Sequence, residues 1–306
     1  MTPTQALAQD EADEAATADT ADAEPGSLQS MIVYGIFDDP NRVTGSAHRL
    51  TEDQLEAFRH TDINRILNFV PGVYTREEDG FGLRPNIGLR GASAERSVKV
   101  MLMEDGVPLA PAPYSAPAAY FFPINARIAG VEVFKGPASI QYGPQTVGGA
   151  INLLSTPIPN DTEFMAELGL GDFGFQQLHT RGGTRTDDWG FFGEFVHMGS
   201  DGFKDLDGGG NTGFDKNELM LKAGRSLGPG EIEFRLSYAD EVSNETYLGL
   251  TESDLRAQPF RRYAASALDR MEWTWLSGRV DYTQTLWGGR IALTAYAQEL
   301  DRAWLK

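Results

Sequence analysis

The sequence predicts a small α+β domain followed by the first strands of an antiparallel transmembrane β-barrel. Residues 36–158 combine an amphipathic helix with short apolar strands that are interrupted by Gly and Pro. From Glu163 onward, apolar and polar residues alternate along segments that are long enough to cross a membrane when tilted. The connections between these segments alternate between short and long. These three observations together define the predicted fold class.

The predicted helices lie near the start of the α+β domain. Thr51 and Gln54 have the spacing of a capping box, which favours a helix start. A second start at Thr61 leads into a stripe with the i, i+3, i+4, i+7 period of an amphipathic helix, which Pro71 should end: Ile63, Ile66, Leu67 and Val70. Residues 98–102 predict an apolar strand, and residues 104–106 predict the turn that follows it.

The later segments place apolar side chains on one face of each strand. The apolar sets with period 2 are Phe164, Ala166, Leu168 and Leu170, then Ile232, Phe234, Leu236 and Tyr238, and finally Ile291, Leu293, Ala295 and Ala297. In the second set, polar residues from Glu231 to Ser237 occupy the opposite face. Both faces of the segment from Trp189 to Met198 carry aromatic residues, and we interpret it as a strand from its neighbours.

The connections favour a transmembrane barrel over a soluble β-sandwich. Short connections at 185–188, 227–230 and 287–289 alternate with long ones at 201–213 and 244–270. A membrane barrel places tight turns at one rim and long loops at the other, whereas a sandwich has no such requirement. Four tryptophans lie near strand ends, where an aromatic girdle is expected: Trp189, Trp273, Trp275 and Trp287. The soluble sandwich remains the alternative.

Composition excludes several functions. The net charge is -18, and no basic stripe is available to neutralise phosphates, so we expect no nucleic-acid partner. There is no cysteine, no HExxH and no GxSxG, and the GxGxxG match at residues 169–174 lies in a turn between strands. We therefore predict that the protein is not an enzyme. The aspartates of loop 201–213 lack EF-hand spacing, so no metal site is predicted.

The N-terminal residues have a different composition. Residues 1–30 carry seven acidic residues and no Lys or Arg, and we predict that 1–27 form a disordered acidic segment. Ala6, Leu7 and Ala8 resemble a signal-peptidase site without the regions that should precede it. Either a leader was removed or the match is due to chance.

The stretch 132–155, EVFKGPASIQYGPQTVGGAINLLS, alternates strand residues with Gly and Pro, which predicts a compact core with repeated bends. It closely resembles the end of the plug domain in TonB-dependent outer-membrane receptors, which typically reads IEVLKGPAS.LYG...GGVINI. Three more motifs follow the family order: DINRILNFVPGV at 62–73, NIGLRG at 86–91 and MEDGVP at 103–108. The chain is identified as a member of this family.

The resemblance implies a division of the chain. It implies a TonB box at 28–35, a plug domain at 36–158 and the N-terminal portion of a β-barrel at 159–306. Barrels of this family have about 22 strands, and we expect about seven of them in this portion. Residues Met31, Ile32, Val33 and Tyr34 are the TonB-binding candidates, since an extended apolar segment can add to the edge of a partner's sheet. The alternative is an edge strand of the plug.

A narrower resemblance concerns the cargo. YGPQTVGGAIN followed by TPIP, together with LAPAPYSAP, is similar to the ferric citrate receptors. This implies uptake of a ferric chelate across the outer membrane of a Gram-negative cell, with the TonB box facing the periplasm. The implied partners are TonB, the chelate and outer-membrane lipid, and iron is bound only as chelated substrate, with no cofactor. A receptor for another siderophore or a glycan, or a non-transporting envelope binding module, remains an alternative.

Site residues follow from the same resemblance and from charge. Arg90 resembles the family arginine that pairs with buried barrel carboxylates, which we expect beyond residue 306. A tricarboxylate chelate is anionic, so the ligand-binding candidates are Arg84, Tyr114, Arg261 and Arg262. For an uncharged chelate, the aromatic residues Tyr120, Phe121 and Phe122 gain weight as candidates, and the alternative is that they belong to the plug core. Glu132 and Lys135 are predicted to form ion pairs inside the plug.

Overall fold

The computed structural model describes residues 45–58, 60–109, 118, 120–143 and 145–306. The predicted acidic segment, the predicted TonB box (Met31, Ile32, Val33 and Tyr34) and Tyr114 lie outside these residues. The described chain has two parts. Residues 45–158 form the N-terminal domain, and residues 159–306 form a curved sheet with its loops, which we call the wall.

The described residues of the N-terminal domain form two short α-helices and seven strands. The helices are α1 (Glu52–Phe58) and α2 (Ile63–Leu67). The strands are β1 (Ser46–Leu50), β2 (Val73–Arg76), β3 (Asn86–Leu89), β4 (Val100–Glu104), β5 (Val107–Pro108), β6 (Ile128–Lys135) and β7 (Gly149–Ser155). Five strands form one mixed sheet in the order β1-β6-β7-β4-β5, in which β4 and β7 are parallel, while β2 and β3 form a separate pair.

The predicted amphipathic stripe is buried in the core of this domain, but helix α2 ends at Leu67, so Val70 lies beyond the helix that Pro71 was expected to end. Its four apolar side chains, from Ile63 to Val70, are at most 1 % exposed. The helix cap lies one residue later than Thr61, at Asp62, whose Oδ1 accepts a hydrogen bond from Asn64 N at 2.8 Å. The predicted strand at 98–102 likewise shifts to β4, since Val98 has helical angles at the end of a 3-10 turn.

The Gly and Pro residues of the segment 132–155 explain why the chain bends repeatedly between β6 and β7. Strand β6 ends at Lys135, and the next residue, Gly136, has a φ of +78° and starts the 3-10 turn Gly136–Tyr142. Strand β7 begins at Gly149 with φ of +148°, and a Cβ added there would lie 2.4 Å from the backbone oxygen of Phe134. The two strands then pair antiparallel in the centre of the sheet. Glycine at position 149 is therefore required by both conformation and close approach.

The wall is an open antiparallel sheet of seven strands in the order β16-β15-β13-β12-β10-β9-β8. These strands are β8 (Glu163–Leu170), β9 (Gln176–Arg185), β10 (Trp189–Ser200), β12 (Phe214–Leu227), β13 (Gly230–Ser243), β15 (Arg270–Leu286) and β16 (Gly289–Leu305). The long loops carry β11 (Asp205–Leu206), α3 (Glu252–Ala257) and β14 (Arg261–Arg262). The predicted strand number and the alternation of short and long connections are confirmed.

The two faces of the wall have different environments. Apolar side chains that point away from the N-terminal domain are exposed, as a face in contact with lipid requires, and include Phe164, Leu168, Phe191, Leu221, Phe234, Leu236 and Leu293. Side chains on the other face contact the N-terminal domain. The sheet is thus neither closed nor a sandwich placed beside the domain. In the described residues, the helices are all too short or too polar to cross a membrane.

The tryptophan prediction is half correct. Trp189 and Trp287 lie at the rim of the short turns, where they are 38 % and 95 % exposed. Trp273 and Trp275, by contrast, point inward and are buried. The ring of Trp275 stacks on Phe121 at 4.3 Å between centroids. Both inward tryptophans therefore pack the N-terminal domain against the wall and do not belong to an aromatic girdle.

Asp62 provides a test of the domain's electrostatics. Burial, with repulsion from Asp79 and Glu77, raises its pKa from 3.8 to about 6. The folded domain therefore holds this proton more tightly than the unfolded chain, and the domain's stability falls as pH rises from about 4 to about 6. We expect Asp62→Asn, which keeps a capping oxygen, to raise the midpoint of thermal unfolding at pH 7 and to lose this advantage near pH 4.

The matched control is Asp53→Asn, which removes an exposed carboxylate from the first turn of α1. The midpoints should be measured by calorimetry at several pH values. Equal midpoints for Asp62→Asn and the unmodified protein at pH 7 would contradict the prediction.

Candidate functional site between the N-terminal domain and the wall

A buried arginine joins the two parts of the chain. Arg127 is 3 % exposed and donates to Glu104 of the same domain, from Nη1 to Oε1 at 2.7 Å and from Nη2 to Oε2 at 3.1 Å. Its Nε donates to Glu218 on wall strand β12. Both carboxylates are almost fully buried. Because all three charges are shielded from water, each depends on the others for compensation.

Arg84 forms a second junction nearer the long loops. It is 2 % exposed, and its Nη2 donates to Glu241 of β13 at 2.5 Å while its Nη1 donates to Glu245 at 2.7 Å. Glu241 belongs to the wall strand, whereas Glu245 lies in the long loop that follows. One guanidinium therefore links the N-terminal domain, the wall and a loop.

Lys216 lies between these two junctions. Its Nζ donates to the backbone oxygen of Phe122 at 2.5 Å and lies 3.5 Å from Glu218 and 3.8 Å from Glu241. The lysine is 1 % exposed. Positive and negative side chains thus alternate along the interface, which lowers the cost of burying each of them.

A third junction surrounds the turn after β4. Asp105 Oδ1 and Oδ2 accept hydrogen bonds from Ser155 N and Oγ, and Arg235 donates to Oδ2 from the wall. Arg279 Nη1 donates to the Asp105 backbone oxygen at 2.6 Å. Burial alone would raise the pKa of Asp105, but the charges of Arg235 and Lys222 lower it to about 2. This junction contributes stability above about pH 4 that is lost as pH falls towards 2.

The long loops form a single unit, which we call the cap: residues 201–213 and 244–269. Strands β11 and β14 pair in parallel between the two loops. Arg261 forms a two-pronged contact with Asp207, with Nε to Oδ1 and Nη2 to Oδ2 both at 2.9 Å. Arg262 is buried and donates to three backbone oxygens of its own loop. Both arginines therefore hold the cap together.

The predicted ligand residues are only partly brought together. Arg261 and Arg262 lie in the cap, while Arg84 lies below it, so they share one end of the wall. Most of their donors are engaged in the contacts given above, although Arg84 Nε has no hydrogen-bond partner. Ligand binding by these residues, and by Tyr114, stays a prediction.

Arg90 lies elsewhere. It is exposed on the N-terminal domain beyond β3, with φ of +50°, and no ion pair involves it within the part of the chain that the structure describes. The ion pair predicted for Arg90 stays a prediction. Glu132 is buried and accepts from Asn152 Nδ2, while Lys135 Nζ donates to the backbone oxygen of Pro71. These two residues are inside the domain but do not pair with each other.

Sequence reasoning missed the wall side of the site. A signal was present in β12, where Lys216, Glu218 and Lys222 occur on one face, opposite the apolar Leu219 and Leu221. Charged residues with period 2 on the face turned away from lipid indicate a polar interior. The partners Arg84 and Arg127 could not be assigned from this pattern, because it contains no information on which domain residue each charge contacts.

Comparisons with known proteins agree with this geometry. Residues 39–150 match the family model of the TonB-dependent receptor plug domain. The unliganded ferric citrate transporter FecA has a similar fold, with a TM-score of 0.70, 22 % identity and coverage of 85 % of this chain. The ferric yersiniabactin uptake receptor FyuA from Yersinia pestis has a TM-score of 0.69 and 17 % identity over 86 % of this chain. The siderophore receptor PirA from Acinetobacter baumannii has a TM-score of 0.63 and 16 % identity over 90 % of this chain.

This chain spans about two fifths of the length of those structures, at 40 %, 42 % and 41 % respectively. The similarity at these identities concerns the fold: a domain seated against the inner face of an antiparallel sheet. The sheet described above matches the start of their barrels.

The Arg127 junction can be tested by substitution. Arg127→Met removes the guanidinium that bridges the buried carboxylates of Glu104 and Glu218, which we expect to destabilise the protein by about 3–5 kcal/mol. The measurement is denaturant unfolding of the full-length protein in detergent micelles. The exposed pair of Arg65 and Glu77 gives the control, since Arg65→Met should change stability by less than about 1 kcal/mol.

The combination of Arg127→Met with Glu218→Gln should cost less than the sum of the two single changes, because the double variant has one fewer unpaired charge. Additive costs would show that Arg127 and Glu218 are not coupled.

Proposed function

The chain carries the plug domain of the TonB-dependent receptors and the fold of the start of their barrel, and on this premise we propose that it is part of an outer-membrane receptor that imports a ferric chelate of the citrate type. The observation that carries the proposal is the match of residues 39–150 to the plug family. The seating of this domain on the inner face of the wall supports it, because the domain then blocks the space that the wall encloses.

The buried junctions suggest how the block is released. Separation of the N-terminal domain from the wall exposes Arg84, Arg127 and Asp105 together with their wall partners. Separation has to break all three junctions and the stacking of Phe121 on Trp275 at the same time, so thermal motion alone releases the domain rarely. Work applied from outside is required. In our proposal TonB supplies it by binding Met31, Ile32, Val33 and Tyr34, which lie upstream of β1.

The citrate-type cargo is supported by sequence similarity and by fold. The motif YGPQTVGGAIN resembles ferric citrate receptors, and the FecA structure is among the most similar folds. The iron belongs to the cargo, so the receptor uses no cofactor and catalyses no bond change. The chelate binds below the cap, the cap closes, and the plug then moves.

Another siderophore is the second candidate cargo. The fold similarity to the ferric yersiniabactin receptor, at a TM-score of 0.69, is nearly equal to that for FecA at 0.70. Fold similarity therefore favours neither cargo over the other. A non-transporting binding module would share the plug and wall but would not need the TonB box.

The experiment uses the full-length gene in a strain that lacks its own ferric citrate uptake. Deletion of residues 28–36 should abolish uptake of ⁵⁵Fe-citrate and leave its binding to outer membranes unchanged, because the deletion removes the TonB contact but not the cap. Deletion of the nine residues 10–18, in the acidic segment, is the matched control and should leave both unchanged.

Uptake that persists without residues 28–36 would contradict energy coupling through this segment. Growth on a yersiniabactin-type chelate but not on ferric citrate would contradict the citrate cargo while leaving the receptor function intact.

A further inference from the structure

Residues 155–159, which we call the strap, lead from the end of β7 to the start of the wall. In the wall, β13, β12, β10, β9 and β8 are neighbours in that order. Successive residues of the strap contact β13, β12, β10 and β9 on their inner face before the chain enters the sheet as β8. The strap therefore crosses four wall strands and is attached to each of them.

The beginning of the strap is held by hydrogen bonds. Lys222 Nζ on β12 donates to Ser155 Oγ at 2.8 Å and to the backbone oxygen of Thr156 at 2.6 Å. Arg235 Nη1 on β13 also donates to Ser155 Oγ, at 3.2 Å. Thr156 Oγ1 in turn donates to Glu194 Oε1 on β10 at 3.4 Å. The three wall side chains are buried, so little water competes for these contacts.

Ile158 is the apolar anchor of the strap. Its side chain is 3 % exposed and packs in one cluster with Phe192 and Met220. Two wall glycines make room for it. A Cβ added at Gly190 would lie 2.9 Å from Ile158 Cγ2, and one added at Gly224 would lie 3.2 Å from Ile158 Cδ1. The inner face of the wall thus has a recess where Ile158 crosses it.

The end of the strap is attached to β9. Arg185 Nη2 donates to the backbone oxygen of Ile158 at 3.1 Å. A Cβ added at Gly183 would lie 2.5 Å from Pro159 Cδ, so the strap lies directly on this strand. Hydrogen bonds and close packing therefore fix both the backbone and the side chains of the strap to the wall.

The opposite end of the described domain is attached to the described wall more weakly. Strand β1 lies at the edge of the five-stranded sheet and pairs with β6. Near it, Arg181 Nη1 of the wall donates to Glu52 Oε1 at 3.2 Å, but these side chains are 20 % and 43 % exposed. An ion pair with this exposure contributes little to stability. The weakly attached end is the one that lies next to the segment on which TonB pulls in our proposal.

We propose that the strap is the fixed end against which the N-terminal domain is strained during transport. The inference rests on the proposed function, because it takes the pull from upstream of β1 as given. A pull on one end of a body deforms the body only if another point is held, and otherwise moves the whole body. The strap is that held point, so the pull strains the domain between β1 and the strap while the domain stays inside the wall. Lys222 and Ile158 are the positioning residues of this anchor.

The first measurement tests the attachment of the strap without any pull. The chain has no cysteine, so single cysteines can be placed at two buried positions, Thr156 in the strap and Ser139 elsewhere in the domain. The full-length receptor, kept free of other cysteines, is labelled with a maleimide in detergent micelles at rising urea concentrations. Thr156→Cys should become reactive at a higher urea concentration than Ser139→Cys, because the strap stays bound after the rest of the domain has been released. Equal labelling midpoints would overturn the proposal.

The second measurement applies the pull in cells grown with ferric citrate. Ile158→Ala combined with Lys222→Met removes the apolar anchor and the lysine that holds the strap. TonB should then draw the domain out as a whole and leave an open lumen, which admits large solutes. We expect the inhibitory concentration of vancomycin, which the intact outer membrane excludes, to fall several-fold in cells with TonB and to stay unchanged in cells without TonB.

Two further double variants serve as controls, with receptor amounts in the outer membrane compared by immunoblot. Ile158→Val with Lys222→Arg keeps an apolar anchor and a donor, so it should restore resistance. Ile291→Ala with Arg270→Met makes equivalent changes on the outer face of the wall and should leave resistance unchanged. Sensitivity that is equal with and without TonB would show a merely loosened domain and would overturn the proposal. Resistance of the strap variant, at a normal amount in the membrane, would also overturn it.

The outcomes separate this inference from the proposed function. A receptor that needs residues 28–36 for uptake, yet exposes both cysteines at one urea concentration, keeps its function and loses the anchor. A receptor in which Thr156→Cys reacts last, yet uptake persists without residues 28–36, keeps a bound strap and loses the energy coupling.

Discussion

Charge compensation between the N-terminal domain and the wall is the constraint on which the rest of the structure depends. Arg127 reaches Glu218, and Arg84 reaches Glu241, across an interface that shields all four side chains from water. Each part supplies the opposite charges that the other part needs where the interface excludes water. The two parts therefore stabilise each other, although each is built from its own hydrogen-bonded sheet.

The same constraint explains the sequence of the wall strands. In β12, Leu219 and Leu221 face outward, while Lys216, Glu218 and Lys222 face the N-terminal domain. A strand has period 2, so one segment can present an apolar outward face and a charged inward face at the same time. A shift of register by one residue would place the three charged side chains on the outward face and the leucines against the N-terminal domain. The interior charges thus specify the register of the sheet as well as the position of the domain.

The sequence could predict features that depend on local periodicity, but not features that depend on which elements meet in space. Strand number, loop alternation and the buried stripe at 63–70 depend on local periodicity, and the structure confirms them. The contacts of Arg84 and the inward orientation of Trp273 and Trp275 depend on which elements meet in space. A tryptophan near a strand end is compatible with a membrane rim and with a domain interface. Only the ring contacts with Phe121 show that Trp273 and Trp275 belong to the interface.

The arginines of the cap show why residue type alone is a weak guide to a binding site. Arg261 and Arg262 have the chemistry that a carboxylate ligand requires, yet Asp207 and backbone oxygens already occupy their donors. A guanidinium in such contacts is held rigidly, and a ligand would have to displace them at a cost. Arg261 instead fixes the two loops of the cap to each other through Asp207, whereas Arg262 fixes the longer loop to itself. The residue type shows which donors an arginine offers, but only the fold shows whether protein groups already occupy them.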